Sequence, residues 1–179
     1  LAAHPEIAKV IDPVMVATSG VRLVSEATTA AIRSRLLPLA TLTTPNLPEA
    51  EVLCGRAAGA SDAARGGSAA HAAELARQLF ETYGCAALVK GGHGDNRAAV
   101  DVLCDGGDIR EFPLPWVENP VSTHGTGCSL AAALAAELAL GRGTAAAVEG
   151  AKRYVHRAIE GSYWVGKDCG VLGFVDMRP

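Results

Sequence analysis

Aromatic residues are scarce: Phe, Trp and Tyr together make up 4% of the 179 residues. Alanine is abundant in their place, and small side chains let helices approach closely and favour helix formation. There is no excess of positive charge. Lys and Arg number 16 against 19 Asp and Glu, for a formal net charge of −3 and a pI of about 5.9. That balance excludes a binder of phosphate backbones, which needs a basic footprint, so no nucleic-acid partner is expected. No stretch approaches the roughly 20 uninterrupted apolar residues of a membrane span, and the longest, Leu130 to Leu140, is broken by Glu137. No secretory signal opens the sequence. The five cysteines (Cys54, Cys85, Cys104, Cys128 and Cys169) are odd in number and scattered, with no C-x-x-C pair. Neither a zinc site nor a disulfide framework is expected, and a reducing cytoplasm is the expected setting.

With 49% hydrophobic and 20% charged residues, the chain excludes disorder, and its length suits one domain with a real core. It begins Leu1-Ala2-Ala3 without Met, which reads as the end of a helix and an N-terminal truncation. Short apolar runs closed by proline predict strands over Lys9–Asp12 and Ala40–Thr44, and Cys85–Lys90 predicts a third. Helices are expected from Ser25 to about Leu37 with Pro38 as stop, from Pro48 to Leu53, and from Ser68 to about Tyr83. Arg56–Gly67 reads as a mobile loop. Strand, helix, strand, helix, strand with crossovers of this length predicts a parallel sheet covered by helices on both faces. Ala98–Cys104 and Ile109–Leu114 flank Asp105-Gly106 and predict an antiparallel hairpin extending that sheet. A loop over Pro113–Thr123 precedes two helices. The first runs from about Gly125 to Leu140, and the second is capped by Thr144 and runs to about Glu160. The tail from Gly161 shows little periodicity, and no internal repeat or second domain is expected.

The strongest local feature is Ser122-Thr123-His124-Gly125-Thr126-Gly127-Cys128 leading into an alanine-rich helix. The first N–H groups of a helix lack internal partners and carry partial positive charge, and two glycines allow an anion to approach the backbone. Phosphate is the natural guest; a plain capped turn is the alternative. The segment is not a dinucleotide fingerprint, because Leu130 holds the third glycine position, and the chain has no G-x-x-x-x-G-K-[ST] loop. Cys128 sits in the first turn, where a thiolate could act as base or nucleophile, or where a small side chain could simply be packed.

Thr44-Pro45-Asn46-Leu47-Pro48-Glu49-Ala50-Glu51 follows a predicted strand. Asn46 and Glu49 could hold a hydrated magnesium beside phosphates, or could be ordinary helix-start residues. Asp12 and Lys90 end the other two parallel strands. Lys90, with Gly91-Gly92-His93, could meet a phosphate as a point charge, or could be a solvated strand-end lysine. These separate stretches converge on one edge of one sheet.

Together the motifs resemble the hydroxymethylpyrimidine/phosphomethylpyrimidine kinases of thiamine biosynthesis, in the ribokinase-like superfamily. The matching residues are Ile11-Asp12-Pro13-Val14-Met15-Val16-Ala17-Thr18-Ser19-Gly20, Leu36–Ala40, Thr44–Glu51, Leu88–His93, Thr123–Ser129 and Ala151-Lys152-Arg153-Tyr154-Val155, in order and spacing from about Val10 to Ile159. Thr18 stands where the family commonly has lysine, the tail lacks the family's Gly/His-rich ending, and nothing matches its N-terminal Gly-rich segment. The resemblance implies a three-layer α/β ribokinase-like domain over residues 1–179, lacking its N-terminal part. It implies ATP and Mg2+ as cofactors and a small pyrimidine as substrate, phosphorylated as the alcohol and again as the monophosphate. Gly125, Thr126 and Gly127 would form an anion hole, with Cys128 as catalytic base. Lys90, Asn46, Asp12 and Thr123 would serve the nucleotide, and Glu49 with Asn46 the metal. A homodimer is also implied. A pyridoxal or pyridoxine kinase of the same superfamily, or an inactive nucleotide-binding fragment, are the alternatives.

Overall fold

The computed structural model describes residues 1–15, 23–57, 68–91 and 98–174. They form two compact units, Leu1–Pro113 and Leu114–Pro179. The expected Arg56–Gly67 loop lies outside the described residues from position 58 onward. So do Val16 to Gly20 of the resemblance, Gly92 and His93, and the last five residues of the tail. Among the described residues no helix is long and apolar enough to cross a membrane.

The first unit is organised by a five-stranded sheet in the order β1 (Val10–Ile11), β2 (Leu42–Thr43), β3 (Ala86–Lys90), β4 (Ala98–Asp105), β5 (Asp108–Pro115). The first three strands are parallel, with Val10 beside Leu42 and Leu42 beside Ala86. β4 runs antiparallel to β3, with Val89 opposite Val102. Parallel pairing between strands far apart in sequence is what the helical crossovers require. β3 has four consecutive buried residues, Ala86 to Val89, as a strand covered on both faces should. The hairpin extension is present with its turn moved by one residue. The left-handed pair is Gly106-Gly107, at φ 60° and 91°, and not Asp105-Gly106. Positive φ at both central residues defines the turn whose twist matches the strands, and two glycines adopt it at least cost. β5 contains Pro113, where the expected strand and the expected loop overlapped, and runs one residue past the expected Leu114 to Pro115. It is an edge strand, and an edge position tolerates a residue that cannot donate to the ladder.

Helix α1 (Glu26–Ala31) starts at Ser25, whose hydroxyl accepts the Thr28 N–H. The helix does not run unbroken to Leu37. It widens into a π turn over Ile32–Leu36 and tightens into a 3-10 turn over Leu37–Leu39 that contains Pro38. Proline has no N–H and its ring opposes the carbonyl four residues earlier, so the hydrogen-bond register shifts before it. Helix α2 (Leu47–Leu53) and helix α3 (Ala69–Tyr83) follow expectation, α3 with Ser68 as its cap. On α3, Ala72, Leu75, Ala76 and Leu79 are buried at the three-and-four spacing of one helix face. They join Leu37, Leu53, Val89 and Val102 in the core of this unit.

The second unit contains helix α4 (Thr126–Ala139), helix α5 (Thr144–Glu160) and a hairpin of β6 (Tyr163–Val165) with β7 (Cys169–Val171). Gly143 is the cap of α5, and Thr144 is its first helical residue, with no side-chain capping bond. The hairpin stands where the tail had no assignment. Tyr-Trp-Val and Cys-Gly-Val flank Gly166-Lys167-Asp168, a three-residue stretch too short to register as a period but with Gly166 at φ 69°.

Candidate active site

Three parallel strands adjacent in one sheet end at the same edge, and that edge is where open α/β sheets bind ligands. Asp12 follows β1, Thr44 follows β2, and Lys90 closes β3. Lys90 Nζ lies 3.1 Å from Asp12 Oδ1, and the Thr44 hydroxyl donates to the same oxygen at 2.9 Å. Both charged side chains are mostly buried, at 19% and 13% exposure. A pair this shielded from water holds a fixed positive group at the strand ends far better than a surface pair does. Asn46 bridges Lys90 in parallel fashion, and the Lys90 N–H donates to the Pro45 carbonyl at 2.9 Å. The Thr44 to Glu51 stretch is thereby tied to the end of β3.

Asn46 and Glu49 open α2 with reciprocal bonds. Asn46 Oδ1 accepts the Glu49 N–H, and Glu49 Oε2 accepts the Asn46 N–H, each at 2.9 Å. Glu49 Oε1 accepts the Met15 N–H at 3.3 Å. The residue is 3% exposed. Burial raises the Glu49 carboxyl above its ordinary value, against the lowering pull of the Asn46 N–H and the Lys90 charge. The helix-start reading of these two residues is thus realised in the geometry. It does not use up their oxygens, since an ionised carboxylate has about four lone-pair sites and two are taken. A hydrated Mg2+ prefers oxygen donors and keeps several of its waters, so Glu49, Asn46 and Asp12 fit such an ion through its water shell. Among the described residues no group of three or more His, Cys, Asp or Glu side chains could hold a metal by itself.

Thr123, Gly125, Thr126, Gly127 and Cys128 form a second set, on the second unit. Gly125 is the cap of α4 with φ 86°, ψ 1° and no side-chain capping bond. The Thr126 N–H reaches the Thr123 carbonyl at 3.4 Å, and the Ser129 N–H and hydroxyl both donate to the Gly125 carbonyl, at 2.9 and 2.8 Å. Cys128 is an exposed free thiol in the first turn. With the Thr126 N–H turned to the Thr123 carbonyl, the next first-turn N–H groups, of Gly127 and Cys128, are those that a helix start without a side-chain acceptor offers to an anion.

The grip of Thr44 on Asp12 has no counterpart in the sequence pattern. Asp101 was missed. It is 8% exposed and accepts the Gly91 N–H at 3.1 Å. The signal available was a single acid inside the apolar run Ala98–Cys104.

The family model described as phosphomethylpyrimidine kinase matches residues 1–173. The chain is 44% identical over 153 residues to a hydroxymethylpyrimidine/phosphomethylpyrimidine kinase of Rhizobium meliloti (strain 1021), covering 84% of this chain and 53% of that protein. Among solved structures it is similar to an ADP complex of Bacillus subtilis pyridoxal kinase, with TM-score 0.78 and 32% identity, over 92% of this chain and 59% of that one. It is also similar to a phosphomethylpyrimidine kinase from Clostridium difficile 630, with TM-score 0.66 and 28% identity, over 85% of this chain and 57% of that one. The chain therefore spans little more than half of these relatives. Its fold is ribokinase-like, as the motifs implied.

Proposed function

The chain belongs to the phosphomethylpyrimidine kinase family, and from that premise we propose that it carries the phosphate-handling machinery of an ATP-dependent kinase. The acceptor would be 4-amino-5-hydroxymethyl-2-methylpyrimidine and then its monophosphate, giving the diphosphate used in thiamine biosynthesis. The observation that supports this most is the shielded Lys90–Asp12 pair beside the Asn46–Glu49 box, at the ligand-binding edge of the sheet. We read residues 1–179 as part of one kinase domain, which acts as a homodimer.

Magnesium-bound ATP supplies the transferable phosphoryl group. Lys90 offsets negative charge on the phosphates, and Asp12 holds Lys90 in place for that task. Asn46 and Glu49, with Asp12, would hold the hydrated cation. The first-turn N–H groups of α4 receive charge that develops on the phosphoryl oxygens, and glycine at 125 and 127 leaves room for it. Cys128, as the thiolate, takes the proton from the acceptor, either the hydroxymethyl group or the existing monophosphate. Positioning and charge stabilisation do most of the work in this reaction class.

A second reading, a pyridoxal kinase, is favoured by the similarity to the Bacillus subtilis structure. Offering the protein magnesium-ATP with the hydroxymethylpyrimidine, its monophosphate or pyridoxal, and separating the products, decides between them. Transfer to both pyrimidines supports the first reading. Preference for pyridoxal replaces it with the second, and nucleotide binding without transfer to any acceptor reduces the chain to a binding unit.

A further inference from the structure

Asp101 lies inside β4, and the three residues after it, Val102, Leu103 and Cys104, are fully buried or nearly so. A carboxylate in such a place costs stability unless hydrogen bonds compensate it. Its Oδ1 accepts the Gly91 N–H at 3.1 Å. In the ladder Asp101 stands directly opposite Lys90, so the two side chains leave the same face of the sheet. At position 91 the backbone runs so close to β4 that an added Cβ would stand 2.0 Å from the Val100 carbonyl oxygen. Only glycine fits there.

Lys90 is therefore held at three points. Its own N–H donates to Pro45, its ammonium pairs with Asp12, and the N–H of the next residue donates to Asp101. We propose that Asp101 is a positioning residue for Lys90: by accepting the Gly91 N–H it fixes the peptide plane that follows Lys90, and with it the direction in which the lysine presents its charge. The inference rests on the reading of Lys90 as a phosphate ligand. What matters is an acceptor oxygen at that point, so the amide of asparagine can stand in for the carboxylate, more weakly.

The test measures Mg-ADP affinity by calorimetry on the full chain, with far-UV circular dichroism and denaturant unfolding on every variant. Lys90→Ala is expected to weaken binding. Asp101→Ala is expected to weaken it roughly tenfold, and Asp101→Asn by no more than about threefold. In the Lys90→Ala background, Asp101→Ala is expected to add little, because the two act through one group. Should Asp101→Ala not fold, Asp101→Glu keeps the charge and moves the oxygens by one methylene, and it is expected to bind as weakly as the alanine variant would. A merely structural residue would lower stability and leave the affinity of the folded protein alone. Variants at 101 that are folded and bind like wild type, while Lys90→Ala does not, overturn this inference alone. Loss in Asp101→Asn as large as in Asp101→Ala or Asp101→Glu also overturns it. Wild type without Mg-ADP affinity, or Lys90→Ala binding as tightly as wild type, removes the Lys90 reading and this inference with it.

Discussion

Helices α2 and α4 both carry sequence motifs that point to phosphate chemistry, and they begin in opposite ways. α2 starts on Asn46 in extended backbone, at φ −76° and ψ 172°, and side-chain oxygens take up the Glu49 and Asn46 N–H groups. α4 starts on Gly125 in the left-handed region and has no side-chain cap. The same physical problem, the orphan donors of a first turn, is solved internally in one case and left to solvent or a ligand in the other. A missing side-chain cap does not by itself separate the two functions, because α5 also begins on glycine without one. What sets α4 apart is the left-handed Gly125 together with an exposed thiol in its first turn. α2 thus satisfies its own first-turn donors while bringing a carboxylate near Lys90, whereas the start of α4 has no side-chain cap.

The comparison is broken most severely at Cys128. If Cys128 is the general base, Cys128→Ala in the intact kinase should lower turnover by roughly 10²- to 10⁴-fold, the usual contribution of such a group. Nucleotide affinity should stay the same. Steady-state kinetics with a parallel binding titration tests both halves, and turnover retained at wild-type level would remove Cys128 as the base.

Gly125→Ala probes the same helix through its backbone. An added Cβ meets nothing within 4 Å, so the cost is conformational and not steric. A left-handed L-residue costs about 1–2 kcal/mol, visible as a lower denaturation midpoint. Relief of that strain would rotate the first-turn N–H groups, so Mg-ADP affinity should fall as well. Unchanged affinity would separate Gly125 from the anion site. At α2 the corresponding change is Asn46→Ala. It removes a cap and leaves the Glu49 N–H without its acceptor, at about 0.5–2 kcal/mol of stability in denaturant unfolding.

Much of this was legible in sequence because the signals were local and redundant. Pro13 and Pro45 closed strands, Ser25, Asn46 and Ser68 opened helices, and three strand ends had to share an edge once the crossovers made the strands parallel. The parts that escaped are those where the deciding contact is remote. Asp101 acts on Gly91, ten residues away across the β3–β4 pair, and nothing in its own neighbourhood announces the bond. Thr44 finds Asp12 only because β1 and β2 are neighbours. The β6–β7 hairpin has strands of three residues, too short for an alternating pattern to stand out from chance. The turn at Gly106-Gly107 was displaced by one residue because Asp-Gly and Gly-Gly both satisfy the same dihedral demand, and the ladder decides between them.

The smallest expected effect is a pH dependence at Glu49, and its sign follows from burial. The folded-state carboxyl titrates above its ordinary value of 4.5, because desolvation outweighs the Asn46 N–H and Lys90. A raised folded value means that the native state binds the proton more tightly than the unfolded chain does. The stabilising contribution is complete below the ordinary value and is lost as pH rises through the raised one. Denaturant unfolding of wild type and Glu49→Gln, compared from pH 4 to pH 7, should therefore show the advantage of wild type shrinking as pH increases. Glutamine cannot titrate, and its NH2 meets a backbone N–H where the second carboxylate oxygen stood, so the variant starts lower and position 49 adds no pH dependence of its own. A wild-type advantage that grows with pH would mean that the N–H donors and Lys90 outweigh burial.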